Sequence, residues 1–420
     1  MSSATRAAGT RPAAPPDETA ELGWRDRINR HPMAPYHLIL GSTMLLLALG
    51  LVMVLSSSSV ESYDIYGSAF TLFVRQAIFA VVGVVLMVVI SRLPIPVVRR
   101  FALVFLLFTF VLLLAVFIPG IGVSVNGQRN WIGLVGPFRL QPSEFAKLAL
   151  IVWAADTFAR KDAVLDQWRE LAWPFLAVAG GLILLVVAEG DLGTAIVMGV
   201  IVAGLLFVIG APMRIFVGLG AVGLAGIAAL SLTAGYRMRR FTAWLHPEAD
   251  LDGAGWQLIQ GKYALGSGGW WGVGLGGSRE KWGALPEAHT DFIFPVIGEE
   301  LGLLGALTVV GLFAAITVFT LRMAIRTSDL FIRVTCVGIV AWLVGQALVN
   351  LGAVLQLLPI TGVPLPFVSY GGSSLLPSLM AVGLLLAFAR WEAGVTPRPR
   401  RVSVTRSRAG TGPSADLQGG

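Results

Sequence analysis

The sequence predicts an all-α membrane protein, a polytopic bundle of about ten transmembrane helices with a large external loop between the seventh and the eighth. The first observation is composition: 55% of the 420 residues are hydrophobic and only 13% are charged, whereas about a quarter of the residues of a soluble domain are charged. The second is a mean hydropathy of +0.77. The third is that the apolar residues gather in runs long enough to cross a bilayer.

The chain divides into two tails and a membrane domain. Residues 1–35 are polar and lack the apolar core of a signal peptide, so they are predicted to be a disordered cytoplasmic tail. Residues 392–420 are predicted to be a second disordered tail, basic and cytoplasmic. Residues 36–391 hold the predicted spans, which cover residues 37–55, 70–90, 101–117, 144–158, 172–188, 192–209, 215–232, 292–321, 332–357 and 374–390. The fourth is short and begins with charge, and the eighth is long enough to tilt or to project.

The basic residues set the predicted orientation. Short loops of one parity carry most of the Lys and Arg, whereas short loops of the opposite parity hold Arg129 and Arg139. By the positive-inside rule both termini are cytoplasmic, and Asp291, Trp131 and Gly371 share the external side. The net charge of +7 therefore indicates contact with anionic lipid, and no nucleic-acid partner is expected.

Several chemistries are excluded by residue type. The single cysteine, Cys336, lies in an apolar run, so an internal disulfide cannot form and a cysteine metal site is not expected. The sequence contains no P-loop, no GxGxxG after a strand and no HExxH motif. These absences turn attention to the polar residues at the external ends of the spans.

The stretch 285–302 holds four acids beside a predicted span, namely Glu287, Asp291, Glu299 and Glu300. Charge is costly in such a place and needs a reason. One interpretation is a helix cap formed by Thr290 or Asp291. The other is a catalytic carboxylate at the boundary between membrane and water, and the two are compatible.

A second external cluster runs from residue 126 to residue 147. Ser143 and Glu144 look like a helix start, and Glu144 and Lys147 lie one turn apart. They either neutralise each other as an ion pair, or Lys147 joins Arg129 in a site for a phosphate or pyrophosphate. In the first interpretation Trp131 is an interfacial anchor.

Three further features are polar or irregular. Glu189 and Asp191 flank a tight turn that binds a divalent cation or, as we favour, caps the next helix. The Pro- and Gly-rich stretch 359–374 is tolerable only where it lines a cavity or packs in protein, and Ser373 or Ser374 is expected to cap the last helix. Gln346 and Asn350 are expected to join helices. The loop 234–290 is predicted to lie along the membrane interface, because it contains Trp244, Trp256, Trp270, Trp271 and Trp282.

Six motifs stand out along the chain: Arg-Asn-Trp at 129–131, Gln-Pro-Ser-Glu-Phe-Ala-Lys at 141–147, Asp-Leu-Gly-Thr at 191–194, Pro-Glu-Ala-His-Thr-Asp-Phe-Ile-Phe at 286–294, Gly-Glu-Glu-Leu-Gly at 298–302 and Pro-Leu-Pro-Phe-Val-Ser-Tyr-Gly-Gly-Ser-Ser at 364–374. By these motifs the chain resembles the SEDS family (shape, elongation, division, sporulation) from about residue 40 to residue 390. Gly190 and Pro295 depart from the family's usual residues, and neither removes a polar group. Residues 278–283, 287–289 and 58–62 look more like the division branch than the elongation branch.

The resemblance implies a peptidoglycan glycosyltransferase that polymerises lipid II during septal wall synthesis, with a class B penicillin-binding protein and other division proteins as partners. Asp291 matches the family's essential aspartate and would act as general base, with undecaprenyl pyrophosphate as leaving group. No tightly bound cofactor is expected, although Asp291 and Asp191 are candidates to hold Mg²⁺ or Mn²⁺. The candidate substrate-binding residues are Arg129, Trp131, Glu144, Lys147, Lys281, His289, Ser373 and Ser374.

Two alternatives stay open. A lipid II flippase also needs many spans and intramembrane polar residues, but the polar groups gather on one side and no internal repeat is visible. A non-catalytic division scaffold fits the basic tails but does not require the external polar cluster. Glycan chains formed with no membrane to cross would separate the polymerase from both.

Overall fold

The computed structural model describes residues 32–125, 128–134, 136–161, 168–233, 235–282 and 285–395. The two predicted tails lie outside the described residues, apart from 32–35 and 392–395. In the described part the predicted α-helical bundle is confirmed, since each predicted span coincides with a helix. These helices are α1 (Ala34–Tyr66), α2 (Thr71–Ser91), α3 (Ile95–Ala115), α4 (Pro142–Arg160), α5 (Trp168–Ala188), α6 (Leu192–Val208), α7 (Met213–Thr233), α10 (Ile293–Arg326), α11 (Leu330–Val354) and α12 (Leu375–Glu392).

Hydropathy divides these helices into groups. Within the described residues, 7 helices are long and apolar enough to cross a membrane, and the apolar parts of α5 and α6 are shorter. Helix α4 carries the charges of Glu144, Lys147 and Asp156, which lowers its hydropathy. Helix α12 is central, since 83% of the residues in its most apolar stretch are buried. In the most apolar stretch of α7, none of the residues is buried. The chain is therefore a multi-pass membrane protein whose peripheral helices turn apolar side chains toward lipid.

The loop between α3 and α4 contains a small sheet that the sequence did not predict. Strands β1 (Gly122–Val125), β2 (Gln128–Gly133) and β3 (Arg139–Leu140) pair antiparallel in that order. The strands are too short to show a clear alternation of apolar and polar residues. The sheet carries Asn130 and Trp131 to the end of the bundle at which α4 begins.

The loop between α7 and α10, predicted to be external, is largely folded in its described residues, 235–282 and 285–290. It contains α8 (Gly235–Leu245), α9 (Ala254–Ser267) and two short 3₁₀ turns, Pro247–Ala249 and Glu280–Trp282. A third 3₁₀ turn, Gly372–Ser374, precedes α12. Trp270, Trp271 and Trp282 are exposed, whereas Trp244 and Trp256 are partly buried. The position of this loop along the membrane interface stays a prediction.

Helix α10 is interrupted. Gly302 has φ 69° and ψ −169°, which no residue in a continuous helix adopts. The interruption separates a short segment, residues 293–301, from the longer membrane-spanning part, residues 303–326. Asp291 lies just before the short segment. The break therefore lies between Asp291 and the membrane-spanning part of α10.

Candidate active site

One cavity of about 660 Å³ lies at the end of the bundle where α2, α4, α6 and α10 begin. The three loops that the charge pattern placed on one side meet there, since Trp131, Asp291 and Gly371 all line it. The acidic side chains of the lining are Glu61, Glu144, Asp191, Glu287 and Asp291, and the basic ones are Arg75, Arg139, Arg240 and His289.

Asp291 does not cap a helix, so that prediction is wrong. The N-cap position of α10 is Phe292, and no side chain there accepts a backbone hydrogen bond. Residues before it form a turn in which Thr290 N and Phe292 N both donate to Glu287 O at 3.1 and 3.2 Å. The carbonyl of Asp291 is fixed by Asn350 Nδ2 at 2.8 Å. This geometry leaves the carboxylate free to face the cavity.

The surroundings of Asp291 raise its pKa to about 6. Burial is the largest cause, and the negative charge of Glu287 adds to it. Arg240 and a hydrogen bond from Thr290 Oγ1, 3.2 Å from Asp291 Oδ1, act in the opposite direction. A carboxylate with this pKa is ionised at neutral pH and is still basic enough to take a proton, which suits a general base.

His289 forms part of the cavity wall. Its ring lies 5.4 Å from the ring of Tyr370, and its carbonyl accepts a hydrogen bond from Tyr370 N at 2.9 Å. Nδ1 of His289 lies 3.2 Å from Glu61 Oε2. Burial is also the main cause of the raised pKa of the Tyr370 hydroxyl. His289 therefore joins the residues before α10 to the end of α1 and to the loop before α12.

Lys147 lies outside the cavity. Its side chain is fully buried, and Nζ donates to Glu144 Oε1 at 2.7 Å and to Gln346 Oε1 at 2.8 Å. The ammonium also lies 5.0 Å from the ring of Trp342. Glu144 lies at the border, because Oε1 faces Lys147 while its residue lines the cavity and its buried Oε2 has no hydrogen bond within the described chain. The structure thus contains the ion pair of the first interpretation, and substrate contact by Lys147 stays a prediction.

The remaining candidates are dispersed. Trp131 and Ser374 line the cavity. Ser373 is buried behind it and accepts a hydrogen bond from Gln141 N at 3.0 Å. Arg129 is not among the lining residues, and its backbone N donates to Glu189 O at 3.3 Å. Lys281 lies in a separate cluster, 3.7 Å from Glu300 Oε1. Ser374 occupies the N-cap position of α12 without a side-chain cap hydrogen bond.

The cations of the cavity are three arginines that the sequence analysis did not select: Arg75, Arg139 and Arg240. None of them forms a salt bridge with an acid in the described ranges. Arg75 lies within a predicted span, where any charge is a functional signal, and Arg139 broke the positive-inside pattern. Both signals were present in the sequence. Arg240 lies on α8, whose position over the cavity only the fold shows.

Asp191 is a helix cap, as favoured from the sequence. Thr194 N and Thr194 Oγ1 donate to its two oxygens at 2.9 and 2.8 Å, and Gln141 Nε2 donates at 2.8 Å. Asn130 Nδ2 adds a weaker contact at 3.4 Å. Asp191 Oδ2 is surrounded by donors, whereas Oδ1 accepts one hydrogen bond, from Thr194 N. Among the described residues there is no group of three His, Cys, Asp or Glu side chains placed to hold a metal ion. Binding of Mg²⁺ or Mn²⁺ by Asp291 or Asp191 stays a prediction.

Glu189 is the buried acid of the same turn. Burial, and to a smaller extent the charge of Asp191, raises its pKa to about 9. Neither carboxyl oxygen has a hydrogen-bond partner within the described chain. Glu189 is therefore uncharged at neutral pH and contributes no charge to the cavity.

The fold and the cavity define a polytopic membrane protein with an acid–arginine site at one end. The family described as "Cell cycle protein", which comprises FtsW, RodA and SpoVE, matches residues 36–393. The chain belongs to this family, and the resemblance to SEDS proteins is thereby confirmed.

Curated relatives and solved structures agree with that assignment. "Probable peptidoglycan glycosyltransferase FtsW" of Mycobacterium tuberculosis is 42% identical over 86% of this chain and 69% of its own length. "Stage V sporulation protein E" of Bacillus subtilis is 41% identical over 86% and 98%. A chain from "Structural coordination of polymerization and crosslinking by a peptidoglycan synthase complex" is 29% identical, with TM-score 0.66 over 84% and 96%. RodA of Thermus thermophilus is 27% identical, with TM-score 0.61 over 84% and 95%.

Proposed function

We propose that this chain is a peptidoglycan glycosyltransferase that polymerises lipid II into glycan strands during septal wall synthesis. The observation that carries the proposal is Asp291, a carboxylate with pKa about 6 in a cavity lined by Arg75, Arg139 and Arg240. Family membership and relatives named peptidoglycan glycosyltransferase support the reaction class.

Asp291 is the general base of the proposed reaction. Its carboxylate accepts the proton of the 4-hydroxyl of the acceptor sugar as that oxygen attacks the anomeric carbon of the donor. The bond from the anomeric carbon to the pyrophosphate breaks, and undecaprenyl pyrophosphate leaves with the electron pair. In-line attack inverts the anomeric centre. Asn350 and Thr290 hold the backbone and one oxygen of Asp291 in place for this step.

The arginines of the cavity stabilise the charge that builds on the leaving pyrophosphate. Guanidinium groups suit phosphate oxygens because they offer paired donors and stay charged. Arg75 Nη1 is 3.2 Å from the hydroxyl of Tyr66, which holds this arginine at the cavity edge. Arg129 and Lys147 were expected in this role from the sequence. They do not line the cavity, so any effect they have on the pyrophosphate would be exerted without direct contact from the cavity surface.

The proposed partner is a class B penicillin-binding protein, with other division proteins assembled around the pair. The similar chain belongs to a peptidoglycan synthase complex that coordinates polymerisation and crosslinking, which supports a partner of this kind. The septum is the proposed location, because relatives named FtsW match most of the chain. The cytoplasmic orientation of both termini follows from the positive-inside rule.

The test is lipid II polymerisation in detergent, with and without the class B partner. Asp291→Asn is nearly isosteric and is expected to lower the rate about a hundredfold or more, because it removes the base. Ser267→Ala, a change in the external loop outside the cavity, serves as the matched control and should retain the wild-type rate. Glycan ladders on a denaturing gel provide the readout.

The result contradicts the base assignment if folded Asp291→Asn polymerises at nearly the wild-type rate. If folded wild type in a confirmed complex forms no glycan at all, the polymerase proposal fails. Transport or scaffolding then becomes the better explanation.

A further inference from the structure

A second polar cluster lies apart from the cavity, where the external loop meets the break in α10. It is formed by residues 269–281, which we name the clip, together with Glu299, Glu300 and the nearby Ser56 of α1. Glu299 and Glu300 are 2% and 0% exposed. Buried acids next to a broken helix need an explanation, because each must be paired by protein groups.

The clip replaces the backbone hydrogen bonds that the break removes. In a continuous helix the amides of Leu303 and Leu304 would donate to the carbonyls of Glu299 and Glu300. Here those amides donate instead to the carbonyls of clip residues 269 and 270 at 2.9 and 3.4 Å. The two freed carbonyls accept from the amides of clip residues 273 and 274 at 2.9 and 3.0 Å. The clip thus satisfies all four groups.

The side chains of the same two acids hold the far end of the clip. Glu299 accepts from Ser278 Oγ at 2.5 Å and from the amide of residue 279 at 2.9 Å. Glu300 Oε1 accepts from Ser56 Oγ at 2.7 Å and lies 3.7 Å from Lys281 Nζ. Carboxylates that accept several donors hold their partners more strongly than neutral acceptors do.

Close backbone contact between the clip and the helix requires glycine. A Cβ on Gly272, whose φ is +78°, would lie 2.2 Å from the carbonyl oxygen of Glu300. A Cβ on Gly302 would lie 2.4 Å from Gly272 N. In contrast, a Cβ on Gly269, at φ +54°, would meet nothing within 4 Å. Gly269 therefore provides a matched control for a change at Gly272.

We propose that the clip positions Asp291: it fixes residues 293–301 against α1 and thereby sets where the carboxylate lies in the cavity. The short segment has no continuous helix to hold it, so the clip is its anchor at the C-terminal end. Ser278, Glu299 and Glu300 are positioning residues, since they do not line the cavity. This inference rests on the proposed glycosyltransferase only for its effect on rate.

The test compares wild type with Gly272→Ala, Ser278→Ala and Gly269→Ala as full-length proteins. Hydrogen exchange is measured at the amides of residues 303–304 and of the stretch 286–292, in which Pro286 itself has no amide hydrogen. Lipid II kinetics are measured with the class B partner. Gly272→Ala and Ser278→Ala should speed exchange at both sites. They should lower kcat roughly 10- to 100-fold with KM within about threefold, because displacement of a catalytic group by about 1 Å costs that much. Gly269→Ala introduces similar left-handed backbone strain without the collision, so it should change both measurements clearly less than Gly272→Ala does.

The proposal is overturned if exchange rises at residues 303–304 while residues 286–292 and kcat stay unchanged, because the clip then only completes the fold. It is also overturned if KM rises with kcat unchanged, since that result indicates substrate contact by the clip. If wild type forms no glycan, the polymerase proposal fails by itself. The exchange at residues 286–292 still decides whether the clip holds the segment of Asp291.

Discussion

Glu144 lies at the border between two different regions of the protein. On one side lies a closed network, in which Lys147 Nζ is bonded to Glu144 and to Gln346, and Trp342 Nε1 donates to the same Gln346 oxygen at 2.9 Å. On the other lies the open cavity, where Arg240 acts on Asp291. The first region contains a cation, the ammonium of Lys147, whose charge and hydrogen bonds are already satisfied by neighbouring side chains. The second contains cations that a ligand can reach.

The difference shows how to interpret charge in a membrane protein. A buried cation with complete partners stabilises the packing of helices, and removing one member leaves the other unpaired. A cation on a cavity wall retains binding capacity for an anion. The following predictions run from the largest expected effect to the smallest, and each tests on which side of this division a residue lies.

Lys147→Met should destabilise the fold, because it leaves Glu144 buried without its partner. Breaking a buried ion pair costs about 3–5 kcal/mol. Thermal unfolding in detergent measures the effect. The double variant Lys147→Met, Glu144→Leu should recover most of the loss, since it removes both charges. An unchanged unfolding temperature together with lost polymerisation would instead make Lys147 a substrate contact.

The rate of polymerisation should fall in acid, because Asp291 must be ionised to act as a base. With a pKa of about 6, the carboxylate is ionised above that pH and is protonated below it. kcat/KM should therefore fall to about a tenth of its plateau at pH 5. The measurement is a pH–rate profile with unfolding monitored in parallel. A flat profile down to pH 5 in folded protein excludes Asp291 as the titrating base.

Arg240→Gln should move the acid limb of that profile to higher pH. Arg240 lowers the pKa of Asp291, so its removal lets burial and Glu287 raise the pKa further. The rate near pH 6 should drop by a larger factor than the rate at pH 8, because at pH 8 Asp291 is ionised in both proteins and only the loss of a cation beside the leaving pyrophosphate remains. Arg239→Gln, the exposed neighbour on α8, is the control and should leave the profile in place. Identical pH–rate profiles for both variants would show that Arg240 does not lower the pKa of Asp291.

Glu189→Gln should have the smallest effect. Its pKa of about 9 makes the side chain uncharged at neutral pH, and glutamine keeps its size. The polymerisation rate should stay within about twofold of wild type. A loss of about a hundredfold would show that an ionised Glu189 is needed, and Glu189 would then belong with the cavity.

The sequence was sufficient for the helices because hydropathy over a long run depends on many residues at once. The predicted second span, 70–90, agrees with α2 (Thr71–Ser91) within one residue. The sequence also located Asp291, through the scarcity of acids beside apolar runs. The cap at Asp191 was predictable because a cap depends on residues only three positions away.

The sequence could not show which way a polar side chain turns. Lys147 is enclosed by Gln346, which is 199 positions away, so helix packing decides its environment. The cap by Thr290 or Asp291, one of two interpretations of the sequence, is not formed, since α10 begins after Phe292 and Asn350 of another helix donates to the carbonyl of Asp291. Arg240 lies on α8 within the long loop, and it lines the cavity only through the folding of that loop. Contacts between distant parts of the chain decide the environments of these three side chains, and the local sequence pattern does not predict such contacts.

The break at Gly302 also bears on how α10 fits a bilayer. Helix α10 has 34 residues and, if straight, would extend about 51 Å, well beyond a hydrocarbon layer of about 30 Å. The part after the break extends about 36 Å, which a tilt of about 35° fits to that layer. We therefore expect Gly302 to lie near the edge of the acyl chains. On that expectation, lipids of a different length would act on the joint next to the segment of Asp291, and the proposed polymerisation should respond to membrane thickness.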